Sequence, residues 1–232
     1  MRQVFLDTET TGLDPHNGDR IVEIGCIEMI GRRLTGRKLH RYINPERASH
    51  PDALRVHGLT EEFLAGHPRF AEIAAEIVEF IRGADLLIHN ASFDLGFLDA
   101  EFARAGHAAT RSHAARVTDT LLMAREAYPG KANSLDALCK RLEVDNSHRE
   151  FHGALLDAGL LAEVYVRMTR GQDSLVIDGG SYEGSAAQAA SAIDLSAFTL
   201  PRVPASAEEL AAHGQVIADL NKASGGRAVW QN

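Results

Sequence analysis

The N-terminal part of the chain alternates between short apolar runs and turn-forming segments, a pattern that predicts β-strands. The first apolar run predicts a strand over residues 3–7, which leads into a polar loop rich in turn residues. Two longer segments, 20–30 and 34–43, predict further strands. Because only Gly31-Arg32-Arg33 separates these segments, we expect an antiparallel hairpin that follows a buried central strand.

Further along the chain, apolar positions recur at helical spacing. Phe70, Ile73, Ile77, Phe80 and Ile81 predict a core-facing helix that ends at Gly83. Residues 44–60, which precede it, predict irregular structure. Residues 85–90 predict a short buried strand, and Ser92 is the expected N-cap of a helix over residues 93–104. Strand–helix units combined with a hairpin fit an α/β fold.

The composition of the chain changes after Gly171. Residues 173–204 are rich in Ser, Ala and Gly and lack sustained periodicity, which is typical of a flexible linker. Helical spacing returns over residues 207–222, and the only tryptophan, Trp230, follows. We predict a folded domain over 1–171, a linker over 172–206 and a partner-binding segment over 207–232, because a helix this small cannot build its own core. The alternative is a disordered extension without function.

Composition and charge narrow the class of protein. The 232 residues are 45% hydrophobic and 24% charged, as in soluble globular proteins, and no apolar run is long enough to span a bilayer. Cys26 and Cys139 lie in apolar segments, so we expect reduced core thiols and a cytoplasmic location. A net charge of −8 argues against a broad basic surface for nucleic acid, although bound cations can hold phosphate locally.

Two carboxylates, Asp7 and Glu9, stand where the first strand ends. Side chains at i and i+2 lie on the same face of a strand, so both should project together. Carboxylates this close repel each other, and a divalent cation such as Mg²⁺ or Mn²⁺ is the usual counter-charge. The alternative is that both acids cap the following loop and face water. Further carboxylates at the ends of apolar segments would favour a metal site.

Asp94 and Asp157 meet that condition. Asp94 is expected in the first turn of a helix just past a core strand, although an acid there also has an ordinary role at the helix dipole. Asp157 is flanked by apolar residues. His152 and Asp157 can converge if His152 lies on the loop that enters the helix and Asp157 lies one turn inside it. The alternative for His152 is a surface loop histidine.

The four carboxylates suggest a specific chemistry. Their charge of −4 would be balanced by two Mg²⁺ ions, and paired ions about 3.5–4 Å apart are the recurring device for in-line displacement at phosphorus. His152 is the right residue type to take a proton from the attacking water. The pattern therefore predicts hydrolysis by activated water rather than through a covalent intermediate.

These residues together resemble the DEDDh exonucleases, whose motif is present as Asp7-x-Glu9, Asp94 within residues 89–94, and His152-x4-Asp157. Within this family, the chain is most similar in sequence to the proofreading epsilon subunits of bacterial DNA polymerase III. The segments that carry this similarity are residues 6–12, 56–58, 129–131, 133–139 and 152–157. The resemblance is strong over residues 1–170 and weaker from 207 to 230.

The resemblance implies a ribonuclease-H-like fold, with a mixed five-stranded sheet flanked by helices and its second strand antiparallel. It implies that Asp7, Glu9, Asp94 and Asp157 bind two Mg²⁺ or Mn²⁺ ions and that His152 is the general base. It also places residues around the terminal nucleotide of a single-stranded or frayed 3′ DNA end. These are Asp7, Glu9 and Asp157 of the metal site together with Thr10, Gly12, Asp52, Val56, His57, Asn90 and Phe93. Phe93 has an equal alternative as a core residue.

The resemblance also implies partners. The C-terminal segment would bind the polymerase III alpha subunit, and Gln172–Ile177 would correspond to a peptide that binds the sliding clamp. That peptide keeps glutamine and leucine but ends in aliphatic residues, so the clamp contact would be weak. The implied function is 3′→5′ proofreading. The alternatives are a related nuclease that trims RNA, and a mainly structural polymerase subunit.

Overall fold

The computed structural model describes residues 1–146, 152–169 and 204–226. The chain divides into two units, Met1–Val176 and Ile177–Asn232, and each is described by itself. The predicted clamp-binding peptide, most of the predicted linker and Trp230 lie outside the described residues.

The first unit contains a five-stranded mixed sheet in the order β3-β2-β1-β4-β5. Its strands are β1 (Arg2–Thr10), β2 (Ile21–Ile30), β3 (Arg33–Tyr42), β4 (Asp85–Ile88) and β5 (Arg116–Asp119). β2 pairs antiparallel with β1 and with β3, whereas β4 is parallel to β1 and to β5. The predicted hairpin, the central position of the first strand and the antiparallel second strand are confirmed.

Eight α-helices are described in this unit. They are α1 (Pro51–His57), α2 (Glu61–Ala65), α3 (Phe70–Ile81), α4 (Ala91–Arg104), α5 (Thr110–His113), α6 (Thr120–Ala127), α7 (Leu135–Arg141) and α8 (Ala154–Met168). A short 3₁₀-helix, Pro15–Asn17, lies in the loop after β1.

Side-chain alternation along β1 places two cores on opposite faces of the sheet. Val4 and Leu6 belong to the larger core, which includes residues of α3 and α4. Phe5 belongs to a smaller core with Ala158 and Leu161 of α8. Helix α8 therefore covers one face of the sheet, and α3 and α4 cover the other.

The first strand is longer than predicted. It continues to Thr10, which pairs with Ile21 of β2 after a register shift. Asp7 and Glu9 therefore lie inside the strand rather than at or beyond its end. The prediction was wrong because the polar residues of this stretch interrupt the apolar run without interrupting the backbone ladder.

Two local predictions about helices were also wrong. Residues 44–60 are not wholly irregular, because α1 begins at Pro51, which occupies the first turn, and ends at His57, where the C-cap residue Gly58 has a φ of 72°. Helix α4 begins at Ala91 rather than after Ser92, and its N-cap is Asn90 with φ 68°. A non-glycine residue in the left-handed region is uncommon, so apolar patterning could not indicate this turn.

The second unit contains α9 (Ala207–Ala223), which confirms the predicted helix. Ser206 caps it, and Glu209 completes a capping box. Leu210, Val216 and Leu220 on this helix are 60%, 56% and 46% exposed, so the helix presents apolar side chains to solvent. No helix in the described part of the chain combines the length and the apolar character needed to cross a membrane.

Candidate active site

The sheet supplies the first two carboxylates of the predicted site. Asp7 and Glu9 alternate with Thr8 on β1, so they lie on the same face as Phe5, the face that α8 covers. Glu9 is 9% exposed, and Asp7 is partly exposed. The period-two prediction that these two carboxylates share a face is therefore confirmed.

Helix α8 approaches the sheet closely at Gly25, the β2 residue that pairs with Asp7. A Cβ atom at Gly25 would overlap backbone atoms of Ala154 and Leu155 in the first turn of α8. Because glycine has no side chain here, the first turn of α8 rests directly on the strand pair. This contact brings Asp157, one turn inside the helix, toward the carboxylates of β1.

Glu9, His152 and Asp157 form a compact cluster, in which one ligand atom from each residue lies within 4.8 Å of the others. His152 Nδ1 lies 3.4 Å from Asp157 Oδ2. The His152 side chain is 45% exposed, whereas that of Asp157 is 5% exposed. The backbone N–H of His152 donates to the Val56 carbonyl at 3.0 Å, which anchors the loop before α8. The predicted convergence of His152 and Asp157 is confirmed.

Asp94 lies in the first turn of α4 and is buried. The Thr8 hydroxyl donates to Asp94 Oδ1 at 2.7 Å, and Thr8 points to the other face of β1 from Glu9. Burial raises the pKa of Asp94 to about 7, and the nearby Asp119 carboxylate contributes in the same direction. In the described residues the compact cluster includes neither Asp94 nor Asp7. The metal-binding roles predicted for these two residues stay predictions.

A cavity of about 450 Å³ adjoins the cluster through Glu9. Its lining includes seven of the residues predicted to surround a nucleotide: Glu9, Thr10, Gly12, Asp52, Val56, His57 and Phe93. Asn90 is exposed and does not line this cavity. Five further residues, which the sequence interpretation did not include, complete the wall: Thr8, Leu13, Asp19, His50 and Ala53.

Among the lining residues that the sequence did not predict, Asp19 makes the contacts that shape the loop after β1. Its carboxylate accepts hydrogen bonds from Thr11 Oγ1 at 3.2 Å and from the Asp14 N–H at 3.1 Å, and it pairs with Arg47 at 3.2 Å. A Cβ atom at Gly12 would overlap this carboxylate. Asp19 therefore fixes the loop after β1 that forms one wall of the cavity. The only signal in the sequence was its position in a segment dense in turn residues.

His57 lines the cavity and holds a buried hydrogen-bond donor. The imidazole is 4% exposed, and its Nδ1 accepts the N–H of Leu59 at 2.9 Å. Burial lowers the pKa of His57, so the neutral ring carries its proton on Nε2. This Nε2 atom is buried and has no hydrogen-bond partner among the described residues. A buried donor beside a cavity is suited to an acceptor atom of a ligand.

The clustered side chains fit a divalent cation. Glu9 and Asp157 offer buried carboxylate oxygens, which are the hard ligands that Mg²⁺ and Mn²⁺ prefer. Two buried carboxylates at this separation repel each other unless a positive charge lies between them. The donor set and its burial are therefore consistent with the metal site predicted from the sequence.

Comparison with known proteins places the chain in a family. Residues 4–165 match the exonuclease family. The DNA polymerase III subunit epsilon of Pasteurella multocida is 49% identical over 236 residues, which cover 99% of this chain and 93% of that protein. The epsilon subunit of Escherichia coli K12 is 46% identical over 237 residues, covering 99% and 97% of the two chains.

Solved structures share the fold. Exonuclease X in complex with 5′ overhanging duplex DNA superposes with a TM-score of 0.56 at 24% identity, covering 72% of this chain and 90% of that one. A zinc-bound complex of E. coli exonuclease I with single-stranded DNA gives a TM-score of 0.65 at 20% identity, covering 74% and 41%. Exonucleases of this fold depend on divalent metal ions. The chain therefore belongs to the exonuclease family and, within it, to the epsilon subunits of DNA polymerase III.

Proposed function

We propose that this chain removes mispaired 3′-terminal nucleotides for a replicative DNA polymerase III by hydrolysing the terminal phosphodiester bond. The observation that carries the proposal is the position of the Glu9–His152–Asp157 cluster beside a cavity that Glu9 also lines. The cavity volume of about 450 Å³ falls within the ordinary range for small-ligand sites, about 300–1,000 Å³. A cavity of this volume suits one terminal nucleotide rather than a duplex.

The proposed metal ligands are Asp7, Glu9, Asp94 and Asp157, which would hold two Mg²⁺ or Mn²⁺ ions. When bound, such ions activate water and neutralise charge that develops on the phosphate and the leaving oxygen. His152 is the proposed general base. Its side chain is 45% exposed, so it can take a proton from water at the site and return it to solvent. Asp157 Oδ2 lies 3.4 Å from Nδ1 of this ring, so the general base and one proposed metal ligand are adjacent.

The terminal nucleotide would occupy the cavity. Phe93 and Val56 offer apolar surface to the base or sugar, and the Nε2–H of His57 offers a donor to an acceptor atom of the nucleotide. We keep Thr10, Gly12 and Asp52 in the same role, because they line the same cavity. Asn90 does not line the cavity, so its contact with the nucleotide remains a prediction from the sequence resemblance.

The proposal accounts for a preference for mispairs. A mismatched terminus is already partly unpaired, so it loses less pairing energy than a matched terminus when it enters a single-strand site. Fraying therefore supplies the discrimination, and the cavity does not need to read the sequence of the base.

The test is an assay of the whole chain on 3′-mismatched DNA, matched DNA and single-stranded RNA, each with Mg²⁺ and with EDTA. We expect rapid removal of the mismatch, slower removal of the matched end, and no reaction in EDTA. Asp7→Ala is the matched control for contaminating nucleases. Equal rates on matched and mismatched ends at low temperature would contradict proofreading by this domain alone. A clear preference for RNA would support the trimming alternative, and an inactive wild-type chain would support the structural alternative.

We further propose that the chain works as three parts, with a nuclease domain over 1–171, a linker over 172–206 and a polymerase-binding segment over 207–232. The exposed apolar residues of α9 support a partner surface there, and the proposed partner is the polymerase III alpha subunit. The linker would raise the effective concentration of the nuclease at the primer end.

We also propose that Gln172–Ile177 contacts the sliding clamp. A complex with the replicative polymerase implies a cytoplasmic location, which is consistent with the burial of both cysteines.

A further inference from the structure

The carboxylate of Asp119 connects two helices near the proposed site. Asp119 ends β5 and lies in register with Ile88, the last residue of β4. Its Oδ2 accepts the backbone N–H of Ala91, the first residue of α4, at 3.0 Å. Its Oδ1 accepts the N–H groups of Leu121 at 2.9 Å and Leu122 at 3.2 Å in the first turn of α6. One side chain therefore holds the N-termini of α4 and α6 at the same edge of the sheet.

Helix α4 depends on this external acceptor. The chain turns from β4 into α4 through Asn90, whose φ is 68°, and the side chain of Asn90 makes no cap hydrogen bond. Asp119, from the neighbouring strand, supplies the acceptor that an N-cap residue normally supplies. A carboxylate at two helix N-termini is also favoured by the helix dipoles. The position of the first turn of α4 therefore depends on Asp119.

That turn carries Asp94, three residues after Ala91. Asp94 is held from the β1 side by the Thr8 hydroxyl at 2.7 Å. The Asp119–Ala91 hydrogen bond holds the other end of the same short segment. The position of Asp94 is therefore held by two hydrogen bonds, one from Thr8 on β1 to Asp94 itself and one from Ala91 to Asp119 on β5.

We infer that Asp119 is a positioning residue for Asp94: it fixes the first turn of α4 and therefore the place of the Asp94 carboxylate beside Thr8. This inference rests on the proposed metal-binding role of Asp94. Asp119 itself does not touch the metal or the substrate. Its effect passes through the backbone of Asn90 and Ala91.

Asp119→Asn separates this role from simple helix capping. Asparagine keeps one carbonyl oxygen and is a good N-cap residue, so it preserves the cap of α6. Its amide group replaces the other oxygen and cannot accept an N–H. With the carbonyl oxygen at α6, the variant loses the hydrogen bond to Ala91 and keeps the size of the side chain. It also removes the negative charge of Asp119 near Asp94.

The main readout is Mn²⁺ binding by isothermal titration calorimetry on the full chain, with no substrate present. Loss of an outer-shell contact typically weakens metal binding by about 10–100-fold, and we expect a Kd at least about tenfold higher in Asp119→Asn. The control is Ser134→Ala, which removes the N-cap of α7, where Ser134 Oγ accepts the N–H of Ala137 at 3.3 Å. We expect this control to lower the melting temperature and to leave the Mn²⁺ Kd within about twofold of wild type.

Two results would overturn the inference. The first is a folded Asp119→Asn variant whose Mn²⁺ Kd lies within twofold of wild type. The second is an Asp94→Ala variant that binds Mn²⁺ as tightly as wild type, because Asp119 would then have no ligand to position. Failure of the proposed function gives a different pattern. In that case the wild-type chain would not degrade DNA, yet Asp119→Asn and Asp94→Ala would both weaken Mn²⁺ binding.

Discussion

Asp94→Asn should stabilise the metal-free protein, and the gain should increase with pH. Burial raises the pKa of Asp94 from 3.8 to about 7, so the ionised carboxylate is unfavourable in the folded state. Asparagine keeps an oxygen that can accept the Thr8 hydroxyl, which now donates to Asp94 Oδ1 at 2.7 Å. The substitution therefore removes the ionisation while it preserves the shape and one hydrogen bond.

The sign and the size of the effect follow from the two pKa values. A carboxyl whose pKa is higher in the folded than in the unfolded state destabilises the fold once it ionises. The cost is absent well below pH 3.8, grows up to about pH 7 and is constant above that. A difference of about three units, at about 1.36 kcal/mol each, sets an upper limit of about 4 kcal/mol. About 2–3 kcal/mol of this should develop between about pH 5 and about pH 8.

The assay is urea unfolding in EDTA at several pH values across this window, for wild type and variant. Glu79→Gln is the control, because the Glu79 side chain is 71% exposed and its loss should change the free energy of unfolding by no more than about 0.5 kcal/mol at any pH. A stability difference for Asp94→Asn that does not change between about pH 5 and about pH 8 would refute the raised pKa. Added Mn²⁺ should then stabilise wild type more than the variant, since the cation favours the ionised carboxylate.

Three further predictions concern the nuclease and the C-terminal segment. Asp157→Ala and Asp7→Ala should abolish nearly all hydrolysis while the fold survives, as measured by primer degradation and circular dichroism; activity within a few-fold of wild type would contradict the two-ion assignment. His152→Ala should lower the rate by about 10²–10⁴-fold and leave Mn²⁺ binding largely intact, whereas calorimetry that showed no binding would make His152 a ligand. Truncation after Gly171 should preserve hydrolysis of single strands and abolish co-purification with the polymerase; undiminished polymerase binding would place the contact on the nuclease domain.

The fold and the family were predictable from the sequence because they depend on regular patterns. Period-two alternation placed Asp7 and Glu9 on one face of β1, as the structure confirms. Helix geometry required His152 to lie before the helix if it was to meet Asp157, and α8 begins at Ala154. Both inferences depend only on the regular periods of side chains along a strand and around a helix.

The details of the cavity depend on loop backbones, about which apolar patterning carries little information. Asp19 meets the loop after β1 only because that loop folds back on itself, and Asn90 adopts a positive φ that apolar patterning does not encode. The start of α1 at Pro51 and its end just before Gly58 did follow ordinary helix signals, which were present in the sequence. The hydrogen bond between Thr8 and Asp94 joins residues 86 positions apart and required the three-dimensional structure.

The packing of α8, a late element of the chain, against the early strands at Gly25 has a consequence for synthesis of the protein on the ribosome. Strand β1 leaves the ribosome before α8, which is the last described element of the first unit. Since α8 supplies Asp157 and follows His152, a nascent chain that stops short of it holds β1 without the other half of the cluster. With the proposed roles of these residues, hydrolytic activity appears only after α8 has been synthesised, and we expect shorter translation products to be inert toward DNA.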